Sequence, residues 1–243
     1  MYTMAPVKLP VLMYHKVTAT GPVDYLTIRA ADLDRQLQYL QEEGYTTISA
    51  QQLIDYQYHR QPLPPRPVLL TFDDGYHDNF TLLYPLLVKY RMRATIFLVA
   101  SLVRQNGQAD EALTFMSEEQ LHQMDAATIE YGLHSFDHSS YTEMTSAQIA
   151  DDIDRCRDML QKMRVSVAPV LAYTYGAYPK TGRPWNELVQ VLREKDIRLA
   201  FRIGNRINTF PVKEPFVVQR VDIRGNESFR RFQRKLKRGG RMW

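Results

Sequence analysis

Two adjacent carboxylates, Asp73 and Asp74, close an apolar run and are followed at once by a glycine (Val68-Leu69-Leu70-Thr71-Phe72-Asp73-Asp74-Gly75). Side by side, two aspartates repel each other and lose hydration, and a bound cation is the usual compensation. The plain alternative is an Asp-Gly turn whose Asp caps the next helix. Further along, a second apolar run, 128–133, leads into His134-Ser135-Phe136-Asp137-His138. Two histidines so close can converge on one ion from a turn or a helical start. An Asp with two His supplies three ligands and leaves a fourth position open, which is the arrangement of a catalytic rather than a structural zinc.

Such side chains need a rigid frame. The run opened by Pro67 reads as a buried strand of a parallel sheet, where functional groups sit at the strand ends. Further strands are expected at 7–15, 46–48, 93–99, 128–133, 167–175, 198–203 and 216–221. Between them, Leu33, Leu37 and Leu40 mark a helix over 30–43 that Gly44 stops. Ser49 caps a helix to about 58, and 79–90 forms one kinked at Pro85. Ser117-x-x-Gln120 opens a short helix, and Thr145-x-x-Gln148 a long one to about 163. The last two helices cover 184–194 and 226–237. Strands alternating with helices over seven or eight units argue a barrel, and 243 residues suit one domain of that size, spanning 1–243.

Composition narrows the class. The single Cys156 excludes an internal disulfide, and no run is long enough to span a bilayer. No basic region followed by an apolar stretch opens the chain, so no signal peptide is visible. A cytoplasmic location is the default, and an exported or cell-surface one follows if a leader was removed upstream. The net charge of +4 is uneven: from Arg224 onward eight Lys or Arg face one acid, Glu227. That basic segment, about 224–243, reads as a solvated amphipathic helix, and no groove-reading motif points to nucleic acid.

Thr71-Phe72-Asp73-Asp74-Gly75 and His134-Ser135-x-x-His138 resemble the first two signature motifs of the polysaccharide deacetylases, carbohydrate esterase family 4, and the resemblance runs from about residue 10 to 232. It implies a distorted (β/α) barrel with about seven parallel strands. It implies Asp73 as catalytic base, with Asp74, His134 and His138 holding one divalent metal ion, zinc or alternatively cobalt or nickel. The third motif, Leu171-Ala172-Tyr173-Thr174-Tyr175-Gly176, departs from the pattern. It lacks the Arg that keeps the base charged, and Thr174 stands where Pro is usual. Arg220, at the end of the last strand, is the candidate substitute, with a surface ion pair as its alternative role. Tyr175, with Gly176, matches the turn whose backbone N–H donates to the oxyanion.

The family carries its general acid in a C-terminal Leu-x-Leu-His motif, yet no His follows His138. Leu12-Met13-Tyr14-His15 matches that pattern at the other end of the chain. First and last strands of a barrel are neighbours, so the motif keeps its place. This resembles the circularly permuted branch acting on poly-β-1,6-N-acetylglucosamine, with His15 as the acid. Tyr141, Tyr178 and Trp185, on loops after strand ends, are candidates to stack on sugar rings across an open cleft, or else rim packing. His77, His59 and His122 read as surface residues. The resulting expectation is a metal-dependent N-deacetylase of an acetylated glycan. The alternatives are an O-acetyl esterase on the same site and a degenerate glycan-binding protein.

Overall fold

Every residue of the Asp-Asp run is buried, as a strand covered on both faces requires. The computed structural model describes residues 5–104 and 114–240. Its first half holds strands β1 (Val7–Leu9), β2 (Val11–Tyr14), β3 (Lys16–Thr18) and β4 (Thr27–Arg29), helix α1 (Ala30–Glu42), β5 (Thr46–Thr47), α2 (Ala50–His59) and β6 (Pro67–Asp74). Then follow a π-helical turn, Asn79–Leu83, α3 (Tyr84–Tyr90), β7 (Ala94–Leu98), α4 (Glu118–Gln123) and β8 (Ile129–Leu133). The rest comprises α5 (Ser146–Lys162), β9 (Val170–Ala172), α6 (Gly182–Glu194), β10 (Leu199–Ile203), β11 (Asn208–Phe210), β12 (Val218–Asp222) and α7 (Phe229–Arg238).

Seven parallel strands run in the order β2, β12, β10, β9, β8, β7, β6, and β2 pairs with β6 to close the ring. β5 pairs only with the start of β6. The fold is therefore the distorted (β/α) barrel expected. Strand residues alternate between two cores, as the period of two demands. Leu69, Phe97, Val170, Phe201 and Val218 fill the interior, while Leu70, Phe72, Ile96 and Leu133 pack under the helices. Leu53, Ile54 and Tyr56 of α2 join the interior cluster. That helix thus plugs the mouth at the amino ends of the strands and leaves the other mouth for chemistry.

Three capping boxes start helices where the sequence places them: Ser49 with Gln52, Ser117 with Gln120, and Thr145 with Gln148. Departures from expectation have local causes. The run 7–15 breaks at Pro10, which has no N–H for a ladder, and β1 turns aside to pair antiparallel with β11. The helix at 79–90 opens as a π turn because Pro85 cannot donate to the carbonyl four residues back. β9 stops at Ala172, ahead of a tight turn, Thr174–Gly176, whose Tyr175 has φ 57°. The tail helix starts at Phe229, capped by Ser228, and lays Phe229 and Phe232 against Tyr39 of α1.

Glu130 ties the plug to the barrel. Its carboxylate accepts the N–H groups of Ala50 and Gln51 at 2.7 and 3.1 Å and the hydroxyl of Thr95 at 3.0 Å. Removing it strands two helix-start donors. Glu130→Ala should lower unfolding free energy by about 1–3 kcal/mol in urea titration. A midpoint equal to that of the parent protein would refute this coupling.

Candidate active site

Asp73 and Asp74 end β6, His134 follows β8, His15 follows β2, and Arg220 lies in β12. The closed ring brings all five to one mouth. Arg220 grips Asp73 with both arms of its guanidinium, at 2.6 and 2.7 Å. Both side chains are almost wholly buried, and Arg220 also reaches the hydroxyl of Thr71 beneath them at 3.4 Å. Burial pushes the Asp73 carboxyl up, but the Arg220 guanidinium leads the opposing effects that hold the group below the usual carboxylate range. Oδ2, which accepts one of the Arg220 bonds, also faces two imidazoles, with Nε2 of His15 at 3.8 Å and Nε2 of His134 at 3.9 Å. Burial lowers the pKa of His15, against the opposite pull of Asp73 and Asp74.

Asp74, His134 and His138 form a second group, their ligand atoms all within 4.8 Å of one another. Oδ1 of Asp74 lies 3.4 Å from Nε2 of His134 and 3.2 Å from Nε2 of His138. Nδ1 of His134 faces the Ala172 carbonyl at 2.8 Å and must carry the proton there. Its Nε2 then presents a lone pair, not a donor, to Asp74. Accordingly Oδ1 of Asp74 is buried with no hydrogen-bond partner. An orphaned carboxylate oxygen facing imidazole lone pairs fits a divalent cation, and the oriented His134 supplies the outer support that metal ligands need.

The backbone around this cluster is held in uncommon conformations. Asp74, Ser135, His138 and Tyr175 have φ of 75°, 66°, 68° and 57°, left-handed values that non-glycine residues adopt at a cost. Gly176, at φ 64°, must be glycine because a Cβ there would stand 2.8 Å from Ile203. Its N–H is spent on the Tyr173 carbonyl, which takes Gly176 out of the donor role expected of it. Thr174 holds this turn against the histidine loop by donating its hydroxyl to the Ser139 carbonyl at 2.7 Å.

Two of the expected sugar platforms are corrected. Tyr141 is 2% exposed, and its hydroxyl donates to Asp152 at 2.7 Å. Tyr178 is buried, stacked on Tyr173 and edge-on to Trp185. Neither offers a ring face to a ligand, and half-buried Trp185 serves the same packing. Beside the histidines an exposed aromatic ring is Tyr175, 70% exposed and edge-on to His138 at 4.7 Å. Asp152 was not legible as a site residue. From α5 it accepts the Phe136 N–H at 2.9 Å and so steadies the loop between the two histidines. His77 contacts Gln120 and stands apart from the cluster.

A closed parallel barrel with paired carboxylates, two histidines and a buried arginine at the carboxyl ends of its strands has the make-up of a barrel hydrolase. Residues 60–184 match the model of the polysaccharide deacetylase family, just over half the chain, and the chain belongs to that family. It is 27% identical to YxkH of Bacillus subtilis over 176 residues, which are 72% of this chain and 60% of that protein. It is 33% identical over 94 residues to the poly-β-1,6-N-acetyl-D-glucosamine N-deacetylase of Escherichia coli, covering 39% of this chain and 14% of that one. The chain therefore spans less than two thirds of these relatives. The solved structure of IcaB from Ammonifex degensii superposes with a TM-score of 0.72 at 27% identity, over 89% of this chain and 91% of that one.

Arg220→Met should destabilise the fold by about 3–5 kcal/mol, because it leaves a buried carboxylate uncompensated, and thermal or urea unfolding reads this directly. A second expectation concerns Asp78, whose carboxyl burial pushes up to about 6 against the Val17 N–H, the Asn79 amide and Lys16. The folded pKa lies above the unfolded value of 3.8, so this group's contribution falls as pH rises from about 4 to 6. Asp78→Asn should therefore gain stability relative to the parent across that window, by roughly 1–2 kcal/mol above pH 6. Parallel stability curves for the two proteins would contradict it.

Proposed function

We propose that this protein is a metal-dependent N-deacetylase that removes acetyl groups from N-acetylglucosamine units of a polysaccharide or oligosaccharide. The observation that carries the reading is the sharing of Asp73: both its oxygens are held by Arg220, and Oδ2 also faces His15 beside the Asp74, His134 and His138 cluster. Amide hydrolysis needs a nucleophile, a place for the oxyanion and a proton for the departing amine. A divalent ion, zinc in this reading, bound by Asp74, His134 and His138 supplies Lewis acidity for the acetyl carbonyl and a water of lowered pKa. Asp73 is the base that takes the proton of the attacking water, and Arg220 keeps it ionised until it does. The Tyr175 N–H serves the oxyanion, since the Gly176 N–H is occupied. His15 gives a proton to the leaving nitrogen.

The sugar follows from less. The Escherichia coli relative is named for a β-1,6-linked N-acetylglucosamine polymer, and the acid at the amino end of this chain resembles the same branch. Tyr175, with its ring in solvent beside His138, is the platform we assign to a sugar face in place of Tyr141 and Tyr178.

Acetate release from β-1,6- and β-1,4-linked N-acetylglucosamine oligomers, with zinc and after chelation, tests the proposal. Release is expected from the β-1,6 series, abolished by chelation and restored by zinc. Asp73→Asn should lose nearly all turnover and still bind one equivalent of zinc, whereas His138→Ala should lose the metal. No acetate from any N-acetylated oligomer by the zinc-loaded protein would overturn it.

A further inference from the structure

His15 is held less directly than its neighbours. His134 has the Ala172 carbonyl and Asp73 has Arg220, but the ring of His15 has no hydrogen bond among the described residues. Its nearest charged atom, Oδ2 of Asp73, lies at 3.8 Å, beyond bonding distance. The pose of this ring is therefore set by its main chain. One side chain reaches that main chain: Nδ2 of Asn79 donates to the His15 carbonyl at 3.0 Å and to Oδ1 of Asp78 at 2.9 Å.

The orientation of this amide is unambiguous, because both neighbours are acceptors and only the NH₂ end can face them. Asn79 is fully buried, and its Oδ1 has no partner. A buried acceptor without a donor is a cost that an apolar residue of similar size would avoid. Asn79 also opens the π-helical turn ahead of Pro85, a distortion that recurs at functional sites. Two local costs thus meet at one residue, and what they secure is the NH₂ contact to His15.

We infer that Asn79 is a positioning residue for the reaction, fixing the main chain of His15 so that its ring meets the leaving nitrogen. The inference rests on the assignment of His15 as acid. It predicts selectivity that packing alone does not produce. An amine leaving group needs a proton, whereas the nitrophenolate of 4-nitrophenyl acetate leaves without one.

The test measures kcat and KM for an N-acetylglucosamine oligomer and for 4-nitrophenyl acetate with the zinc-loaded parent, Asn79→Ala, His15→Ala and the double variant. Asn79→Ala should lower kcat on the amide by roughly 10- to 100-fold, part of the worth of a positioned acid. KM and zinc content should hold, and loss on the ester should be at least tenfold smaller. In the His15→Ala background, Asn79→Ala should add less than about twofold, since the two act as one unit. Equal loss on both substrates, or multiplicative loss in the double variant, overturns the inference. Should Asn79→Ala not fold, Asn79→Ser must show the same selectivity, and failure of both to fold also overturns it. If His15→Ala itself loses amide and ester activity equally, the acid assignment has failed. If His15→Ala is selective and Asn79→Ala is not, only the role of Asn79 has failed.

Discussion

The parallel pairing of β2 with β6 is the constraint on which the site depends. In that register Tyr14 stands opposite Phe72, so the next residue of each strand, His15 and Asp73, leaves the barrel at the same height. A slip of one residue would turn every side chain of β2 to the other face and carry His15 away from the mouth. Specific contacts guard against it. The rings of Tyr14 and Phe72 stack at 4.9 Å, the Tyr14 hydroxyl donates to buried Gln36, and the Thr71 hydroxyl donates to the Leu12 carbonyl. Packing thus determines the separation of His15 and Asp73 through the backbone, with no direct bond between the two groups.

Charge is arranged by the same geometry. Arg220 and Asp73 point into the barrel from two different strands, and neither is tolerable there without the other. The guanidinium engages both oxygens of the carboxylate, and Oδ2 also faces the imidazoles of His15 and His134. Asp74, next in sequence, meets the imidazoles of His134 and His138, so His134 stands between the two carboxylates.

Much of this was legible in the sequence, for physical reasons that differ by element. The barrel followed from apolar runs alternating with capped amphipathic helices, signals that are local and strong at Ser49, Ser117 and Thr145. That an Asp and two His would meet was legible from residue type at strand ends, while the choice of Asp74 with His134 and His138 came from the resemblance of their motifs. Arg220 could be named only as a substitute, since its proximity to Asp73 exists only after the ring closes. The aromatic platforms failed because an aromatic on a loop has the same composition whether it faces solvent or core. Tyr141 and Tyr178 are drawn inward by Asp152 and Tyr173, contacts that arise only from how the loops fold back and that composition does not reveal. β3, β4 and β11 are three residues long, too short for a period of two to register.

The barrel closure also imposes an order of assembly. Of the ring strands β2 comes first in sequence, yet its two neighbours in the ring are β6 and β12, the second of which is the last ring strand in sequence. Until β12 arrives, one edge of β2 has no strand to pair with, and Asp73 lacks the arginine that makes it tolerable in the interior. The contact between β2 and β12 joins the two ends of the ring's sequence order, which makes it entropically expensive and slow to form. Closure of the ring and completion of the charge balance are therefore a single late event. A nascent or truncated chain lacking β12 exposes unpaired strand edges together with a buried carboxylate in search of a cation, so the same strand that finishes the site also finishes the protection of the fold.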